Sequence, residues 1–282
     1  FRMWQNAEII RVHSELARKL APGLVNSICA HWVADPPGSE VFDGEAIDVR
    51  LFDAHADQHT PMMYHGGTRF FDNIRRTARH LKKPVLCLTA AFYDAWSNES
   101  VVFSPEEVRQ NLMAIAAAGC VGAGFYASLD HFDGAYLHAV QAAMADIARL
   151  EPHFQGAAPA ESAASVEGLP REELVLQQDG KERVIRIPEW SGYLRADARR
   201  KGDQVLVGVF NYHRQEAATA RVKLPGAGKG ARTAVDPLSG ACLARGKKRV
   251  WSAAQLAEGI PVRVPPLSFR YVLVRPAQAA DA

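Results

Sequence analysis

The first 155 residues alternate between short apolar runs and amphipathic segments, and this alternation most constrains the fold. Apolar runs at residues 24–33, 47–52, 84–89 and 121–126 predict four strands, each followed by a helix or a long connection. Parallel strands need such crossover connections, and the helices then cover the sheet. We therefore predict an α/β region of about four βα units built on a parallel sheet.

The predicted helices carry start and stop signals of their own. Apolar residues recur at helical spacing over residues 4–20, 68–81 and 134–150, and Thr68 is the predicted N-cap of the second helix. A further helix opens at Ser104, with Pro105 in its first position and Glu107 completing a capping box. Gly119 is the predicted end of that helix.

From Glu172 onwards the apolar pattern changes to a period of two. Runs at residues 204–212, 218–224, 260–264 and 268–275 are separated by turn-forming sequences, which is typical of an antiparallel β-sandwich. Residues 156–168 are rich in Ala, Ser, Gly and Pro and lack periodicity, so they predict a linker. The predicted organisation is an α/β region over 1–155, a linker over 156–171 and an all-β antiparallel sandwich over 172–282.

Composition excludes several classes of function. The 282 residues are 48% hydrophobic and 23% charged, with a net charge of +2, which argues against disorder and against a chain-wide electrostatic nucleic-acid binder. No apolar run is long enough to span a membrane, and dinucleotide and P-loop motifs are absent from the sequence. We expect neither a nucleic-acid partner nor a membrane span. The sequence leaves the cellular location open, with a secreted or periplasmic protein as one expectation.

Polar and aromatic side chains follow each of the four predicted strands, where parallel α/β folds place their sites. His31 and Trp32 follow the first strand. The residues after the second are Asp53, His55, Asp57 and His59, and those after the third are Tyr93, Asp94 and Trp96. Those after the fourth are Tyr126, Ser128, Asp130, His131 and Asp133. The repetition at all four strand ends predicts a functional site along one edge of the sheet.

Several of these segments resemble a known superfamily. The runs KPVLCLTAAFYDAW, SPEEVRQNLMAIAAAG, GAGFYASLDHFDG and RLEPHF, between Lys83 and Phe154, resemble the last third of a glycoside-hydrolase-type (β/α)8 barrel. Ile47-Asp48-Val49 looks like the preceding barrel strand, and DPLSG with PPLSFRYVLVRP is similar to the β-domains that follow such barrels. The resemblance implies the C-terminal half of a (β/α)8 TIM-type barrel. The N-terminal half is then expected from a longer chain or from a partner, because four strands cannot close a barrel.

The resemblance also implies an activity, the hydrolysis of O-glycosyl bonds in an oligo- or polysaccharide by paired carboxyl groups. The largest clan of such barrels has a nucleophilic Glu at the end of the seventh strand, where this chain has Thr89, Ala90 and Ala91. Other clans use aspartates, so the catalytic candidates are Asp53, Asp94 and Asp130. The substrate-binding candidates are His31, Trp32, His55, Asp57, Tyr93, Trp96, Tyr126, His131 and Asp133.

Alternatives to this interpretation remain open. In an extended chain Asp53, His55, Asp57 and His59 point the same way and could hold a metal ion, although we expect these residues to contact sugar hydroxyls or one another. We accordingly expect no metal and no cofactor. The four cysteines lack C-x-x-C spacing and predict free thiols. The alternative functions are a catalytically inactive glycan-binding barrel and a non-catalytic half-barrel fragment or subunit.

Overall fold

The computed structural model describes residues 2–33, 47–90, 103–126, 133–160, 163–167, 173–178, 181–186, 192–225, 230–244 and 249–278. For residues 163–167, 173–178 and 181–186 it describes the backbone alone. The chain divides into two compact units, Phe1–Gln155 and Gly156–Ala282. Across these ranges, no helix combines the length and the apolar character that crossing a membrane requires.

The first unit alternates helices with short strands. Its elements are α1 (Arg2–Leu20), β1 (Ser27–Ala30), α2 (Val49–Phe52), β2 (Gln58–Met63), α3 (Gly67–His80), β3 (Leu86–Thr89), α4 (Pro105–Ala118), β4 (Gly122–Phe125) and α5 (Gly134–Phe154). The four strands form one sheet in the order β1-β2-β3-β4, and every neighbouring pair is parallel. The mixed α/β character and the parallel sheet predicted for this region are therefore observed.

The two faces of the parallel sheet differ in burial. On the face that α3 and α4 cover, Ile28 and Met63 are buried and Cys87 is completely buried. The opposite face carries Ser27, Cys29, Thr60, Leu86 and Leu88, which are exposed or half-buried; we call it the open face. Parallel sheets usually bury both faces. Within the described residues, this sheet has one covered face.

The local signals around α4 were predicted correctly. Ser104 accepts a hydrogen bond from the backbone N–H of Glu107, and the Glu107 carboxylate accepts one from the backbone N–H of Ser104. Gly119 ends the helix in the left-handed conformation, with φ 82°. The predicted N-cap of the preceding helix was wrong. That helix, α3, begins at Gly67 with Gly66 as its N-cap residue, and no side chain caps it.

The second predicted strand, residues 47–52, was wrong. Asp48 accepts a hydrogen bond from the backbone N–H of Arg50 and pairs with its guanidinium, and this cap starts the short helix α2 instead. The second strand is β2, which contains Pro61 and no β-branched residue other than Thr60. Asp53, His55 and Asp57 therefore precede β2 at the amino end of the sheet. This corrects their expected position at the carboxyl end of a strand.

Asp53 has a structural task at the amino end of the sheet. Its carboxylate accepts hydrogen bonds from the backbone N–H groups of Lys82 (3.0 Å) and Lys83 (3.1 Å), just before β3, and contacts Nε2 of His59 at 3.1 Å. Burial raises the pKa of this carboxyl, but the two amides and His59 outweigh burial and leave the pKa below its ordinary value. Asp53 therefore fastens the start of β3 to the turn before β2.

Asp57 acts in the same way on β1. Its carboxylate accepts hydrogen bonds from the backbone N–H of Asn26 and from the Arg18 guanidinium, both at 2.9 Å. Asn26 immediately precedes β1, and its carbonyl accepts in turn from the backbone N–H groups of Asp57 and Gln58. These bonds fix the start of β1 against the start of β2.

The second unit is built from antiparallel strands. They are β5 (Ala158–Pro159), β6 (Ala163–Glu167), β7 (Glu173–Gln178), β8 (Lys181–Arg186), β9 (Leu194–Lys201), β10 (Gln204–Asn211), β11 (Ala218–Lys223), β12 (Arg232–Val235), β13 (Val250–Trp251), β14 (Ile260–Val264) and β15 (Ser268–Pro276), with helix α6 (Ala253–Glu258) before β14. The sheets have the orders β13-β12-β15-β10-β9-β5, β14-β11-β6 and β7-β8. Val207 and Val272 of the first sheet share one core cluster with Val222 and Ile260 of the second.

The segment predicted as a linker, residues 156–171, differs from that expectation. It contributes β5, which pairs with β9, and β6, which pairs with β11. Its small Ala and Ser residues give no apolar alternation, and strand pairing through the backbone needs none. Because the segment has no apolar alternation, the sequence did not predict these two strands.

We expect Asp53→Asn to destabilise the first unit. The neutral amide accepts more weakly, and its NH2 group faces backbone donors, so the loss should be about 1–3 kcal/mol at neutral pH. Because the pKa of Asp53 is lowered by folding, this contribution is present above the ordinary value of 3.8 and is lost as the pH falls through the folded-state pKa. Urea unfolding across that range, with hydrogen exchange at Lys82 and Lys83, measures it.

Asp133→Asn is the matched control for that experiment. Asp133 caps α5 through the backbone N–H groups of Ala135 and Tyr136, and Asn is an equally good N-cap. An equal loss of stability in both variants, or a loss in Asp53→Asn that does not change with pH, contradicts the assignment of Asp53.

Candidate functional site

Three side chains contact Trp32, which follows β1. The Trp32 ring lies 5.4 Å from the His31 ring and 4.6 Å from the ring of His65, which follows β2, both edge-to-face. The guanidinium carbon of Arg69, in the first turn of α3, lies 5.9 Å from the Trp32 ring. We call these residues the Trp32 corner. Because parallel strands end at the same edge of their sheet, the corner lies at its carboxyl edge.

His65 is held from the helix side of the sheet. Its Nε2 lies 2.8 Å from the side-chain nitrogen of Asn73 on α3, and Asn73 contacts Arg76 in turn. Burial and, to a smaller extent, electrostatic interactions with Arg69 and His31 lower the pKa of His65 to about 3. The imidazole is therefore neutral at physiological pH. Its Nδ1 is buried and has no hydrogen-bond partner among the described residues.

Tyr64 and Tyr126 form a second group at the same edge. Tyr64 follows β2 and Tyr126 follows β4, and their ring centroids are 4.7 Å apart with the planes tilted by 35°. Tyr64 is 4% exposed, whereas Tyr126 is 45% exposed. Burial raises the pKa of Tyr64 to about 12, so its hydroxyl keeps its proton. Among the described residues, that hydroxyl has no hydrogen-bond partner.

The pair of tyrosines therefore combines two properties. β2 and β4 are separated by β3, so the two rings meet above the carboxyl end of β3. The exposed Tyr126 ring offers a flat apolar surface, and the buried Tyr64 hydroxyl offers a donor that no described residue accepts. An apolar face beside unpaired polar groups is typical of a small-molecule site.

The structure separates the residues predicted from the sequence into four groups. His31, Trp32 and Tyr126 lie at the carboxyl edge, as expected. Asp53, His55 and Asp57 lie at the amino end of the sheet, and Asp133 is exposed and occupied as the N-cap of α5. The others lie outside the described residues: Tyr93, Asp94, Trp96, Asp130 and His131.

Two residues of the Trp32 corner were missed by the sequence reasoning, His65 and Arg69. The displaced second strand hid them, because a strand ending at Met63 places His65 directly after a strand and Arg69 at the start of the following helix. No group of three or more potential metal ligands occurs in the part of the chain that the structure describes.

No protein-family model matches the sequence, and no curated protein sequence matches it. Among solved structures, the arabinose complex of a GH27 β-L-arabinopyranosidase variant from Geobacillus stearothermophilus is similar, with a TM-score of 0.54 and 11% identity over 96% of this chain and 55% of that one. The wild-type enzyme gives 0.53 and 11% over 97% and 55%. This chain spans about half the length of these structures. These comparisons show that the fold of this chain is similar to that of part of these glycoside hydrolase structures.

Proposed function

We propose that this chain is the C-terminal half of a (β/α)8 barrel, followed by a β-sandwich, in a glycoside hydrolase. The observation that carries the proposal is the pairing of Tyr64 and Tyr126 at the carboxyl edge of a parallel sheet, in a chain that has the fold of these enzymes. Aromatic faces suit the C–H faces of sugar rings. The exposed Tyr126 ring stacks on a sugar, and the Tyr64 hydroxyl donates to one of its oxygens.

The reaction in this proposal is hydrolysis of an O-glycosidic bond, which needs two carboxyl groups on either side of the scissile bond. Asp94 and Asp130 are our candidates within this chain, since each comes five residues after the last residue of a strand, Thr89 and Phe125. Asp53 is no longer a candidate. Its carboxylate accepts backbone hydrogen bonds at the other end of the sheet.

A specific observation favours a second candidate function, a glycan-binding barrel without hydrolytic activity. At the carboxyl edge, Trp32 contacts His31 and His65, and Tyr64 contacts Tyr126, whereas the carboxylates of Glu107 and Asp133 accept hydrogen bonds from backbone N–H groups at the starts of α4 and α5. Sugar binding without catalysis needs only the aromatic and donor groups. Release of reducing sugar separates the two functions.

Half a barrel leaves its ends uncovered, and the first unit has the corresponding apolar surfaces. Ile9, Val12, Leu16 and Leu20 recur at helical spacing on α1 and are all exposed, Ile9 by 53% and Leu20 by 74%. Leu137 and Met144 of α5, beyond the other end of the sheet, are also exposed. We infer that further βα units, from a longer chain or from a partner, cover these surfaces and the open face.

We expect Tyr64→Phe to weaken sugar binding by about tenfold without destabilising the protein, because the hydroxyl that it removes is buried and unpaired. Tyr136→Phe is the matched control. The Tyr136 hydroxyl donates to the carbonyl of Phe103 at 2.6 Å, so its removal should destabilise the fold and leave sugar affinity unchanged. Titration calorimetry and thermal unfolding measure both effects. Equal effects of the two variants on affinity contradict the role of Tyr64.

We expect Asp94→Asn or Asp130→Asn to lower kcat by about a thousandfold or more while glycan binding persists. Asp53→Asn should retain kcat within about threefold at temperatures where it is folded, since a neutral amide there affects stability alone. Reducing-sugar release by the complete protein, over a panel of oligosaccharides and aryl glycosides, measures turnover. A wild-type protein that binds glycans and releases no reducing sugar supports the binding function instead.

We expect the double variant Ile9→Glu/Leu16→Glu to improve the behaviour of the 282-residue chain alone and to destabilise a protein that carries the complete barrel. In the 282-residue chain alone it should reduce aggregation, because it removes an exposed apolar stripe. In a protein that carries the complete barrel it should destabilise by more than about 2 kcal/mol, because it buries charge. Ala17→Glu, exposed on the same helix outside the stripe, is the control. If the double variant destabilises the protein in neither context, the proposal that the stripe is covered is contradicted.

A further inference from the structure

The contacts of His65 determine which of its nitrogens carries the proton. The Arg76 guanidinium donates to the side-chain oxygen of Asn73 at 3.3 Å, and a guanidinium can only donate. The amide nitrogen of Asn73 therefore faces His65 and donates to its Nε2 at 2.8 Å. Since Nε2 accepts, the proton of the neutral imidazole is on Nδ1.

The resulting Nδ1–H group is a donor without an acceptor. His65 is only 2% exposed, its Nδ1 atom is buried, and no described residue accepts a hydrogen bond from it. The two nitrogens of an imidazole point away from each other, so Nδ1–H faces away from Asn73. A buried donor without an acceptor is destabilising, and a ligand oxygen would remove that penalty.

The surroundings of this donor are basic. Arg69 lies over the Trp32 ring, and both Arg69 and His31 act on His65 so as to lower its pKa. No carboxylate among the described residues forms an ion pair with Arg69. The first turn of α3 holds no acidic residue and no side-chain cap, so its backbone N–H groups add to the positive potential.

The two glycines at the start of α3 differ in the space around them. Gly67 has φ +64° and nothing within 4 Å of the position of a Cβ atom, whereas a Cβ at Gly66 would collide with the Phe103 ring. The start of α3 is therefore packed against Phe103 at Gly66, whereas the position of a Cβ atom at Gly67 is open. The donors of the Trp32 corner and this helix start favour a ligand that only accepts.

We propose that the Trp32 corner binds the acidic group of a sugar, the carboxylate of a uronic acid or a phosphate ester, with Nδ1–H of His65 donating one hydrogen bond and Arg69 supplying the charge. The inference rests on the proposed function and names its substrate class as an acidic saccharide. His65 is a binding residue here and does not act as a general base, because Nδ1, the nitrogen that would contact the ligand, already carries the proton.

The tautomer is tested directly by nitrogen-15 NMR of the histidine side chains in the complete protein. The expected result is a His65 ring protonated at Nδ1 and unprotonated at Nε2, without titration over roughly pH 5 to 8. A ring protonated at Nε2, or one that titrates in this range, overturns the role of His65.

The ligand class is tested by calorimetry of the complete protein with methyl glucuronide and methyl galacturonide, each against its neutral methyl glycoside, and with glucose 6-phosphate and inorganic phosphate. We expect an acidic sugar to bind at least about tenfold more tightly than its neutral counterpart. Arg69→Gln should abolish that preference, whereas the control Arg79→Gln, in the last turn of the same helix, should retain it.

Two variants of His65 isolate its donor. His65→Asn places an amide nitrogen near the position of Nδ1 and should retain most of the affinity for the acidic sugar. His65→Gln extends to the position of Nε2, keeps the contact with Asn73 and should lose about tenfold. Equal losses in the two variants overturn the donor assignment.

The outcomes separate this inference from the proposed function. If acidic and neutral sugars bind equally, the acidic-saccharide inference is overturned while sugar binding stands. If inorganic phosphate binds and no sugar does, both the acidic-saccharide class and the proposed function are overturned. If neither sugars nor phosphate bind, the corner is not an oxyanion site.

Discussion

Hydrogen bonds from backbone amides to two aspartates fix the parallel sheet, and the carboxyl edge depends on them. Asp53 accepts from the residues just before β3, and Asp57 accepts from the residue just before β1. The backbone N–H of His59 also donates to the carbonyl of Pro84 at 2.9 Å. Together these bonds set the stagger of three strands. A stagger changed by one residue would turn every side chain of a strand to the opposite face.

This stagger gives two adjacent residues different surroundings. Tyr64 continues the alternation of Thr60 on the open face and meets Tyr126, whereas His65 turns to the helix face and meets Asn73 of α3. One strand end therefore supplies an apolar platform with a hydroxyl on one side and a fixed imidazole donor on the other. A saccharide has both apolar C–H faces and polar oxygens, so the two groups are complementary to one kind of ligand.

Local physical chemistry explains what the sequence predicts and what it does not. Ser104 and Glu107 act within the first turn of α4 and Gly119 acts at its last turn, so local sequence predicts both ends of this helix. The apolar run 47–52 resembles a strand, but Asp48 stabilises helical turns there through Arg50. The true strand β2 has Gln, His, Pro and Met, and its strand conformation depends on pairing with β1 and β3. Tertiary pairing of this kind leaves little trace in local sequence.

The wrong placement of the second strand also explains how much of the site could be predicted. His31, Trp32 and Tyr126 follow strands that the apolar pattern places correctly, so they are found at the carboxyl edge. His65 and Arg69 follow the misplaced strand and were missed. Asn73, the partner of His65, and Arg76, which donates to Asn73, lie on a helix whose basic residues look like an ordinary solvated face in the sequence. Their role depends on a side chain brought to them by the sheet.

The carboxylates of the first unit limit where hydrolysis could be catalysed. Within the described residues, Asp53 and Asp57 hold strand starts, and hydrogen bonds from backbone N–H groups help to leave the pKa of each carboxyl below its ordinary value. A carboxyl group that accepts several hydrogen bonds in its ionised form has a lowered pKa and is a poor proton donor. General acid catalysis needs a carboxyl group whose pKa is raised instead. Asp53 and Asp57 are therefore poor candidates for the acid, and our candidates stay among the residues after β3 and β4 or in the completing half of the barrel, while the donors around Trp32 and Tyr64 can bind sugar in either case.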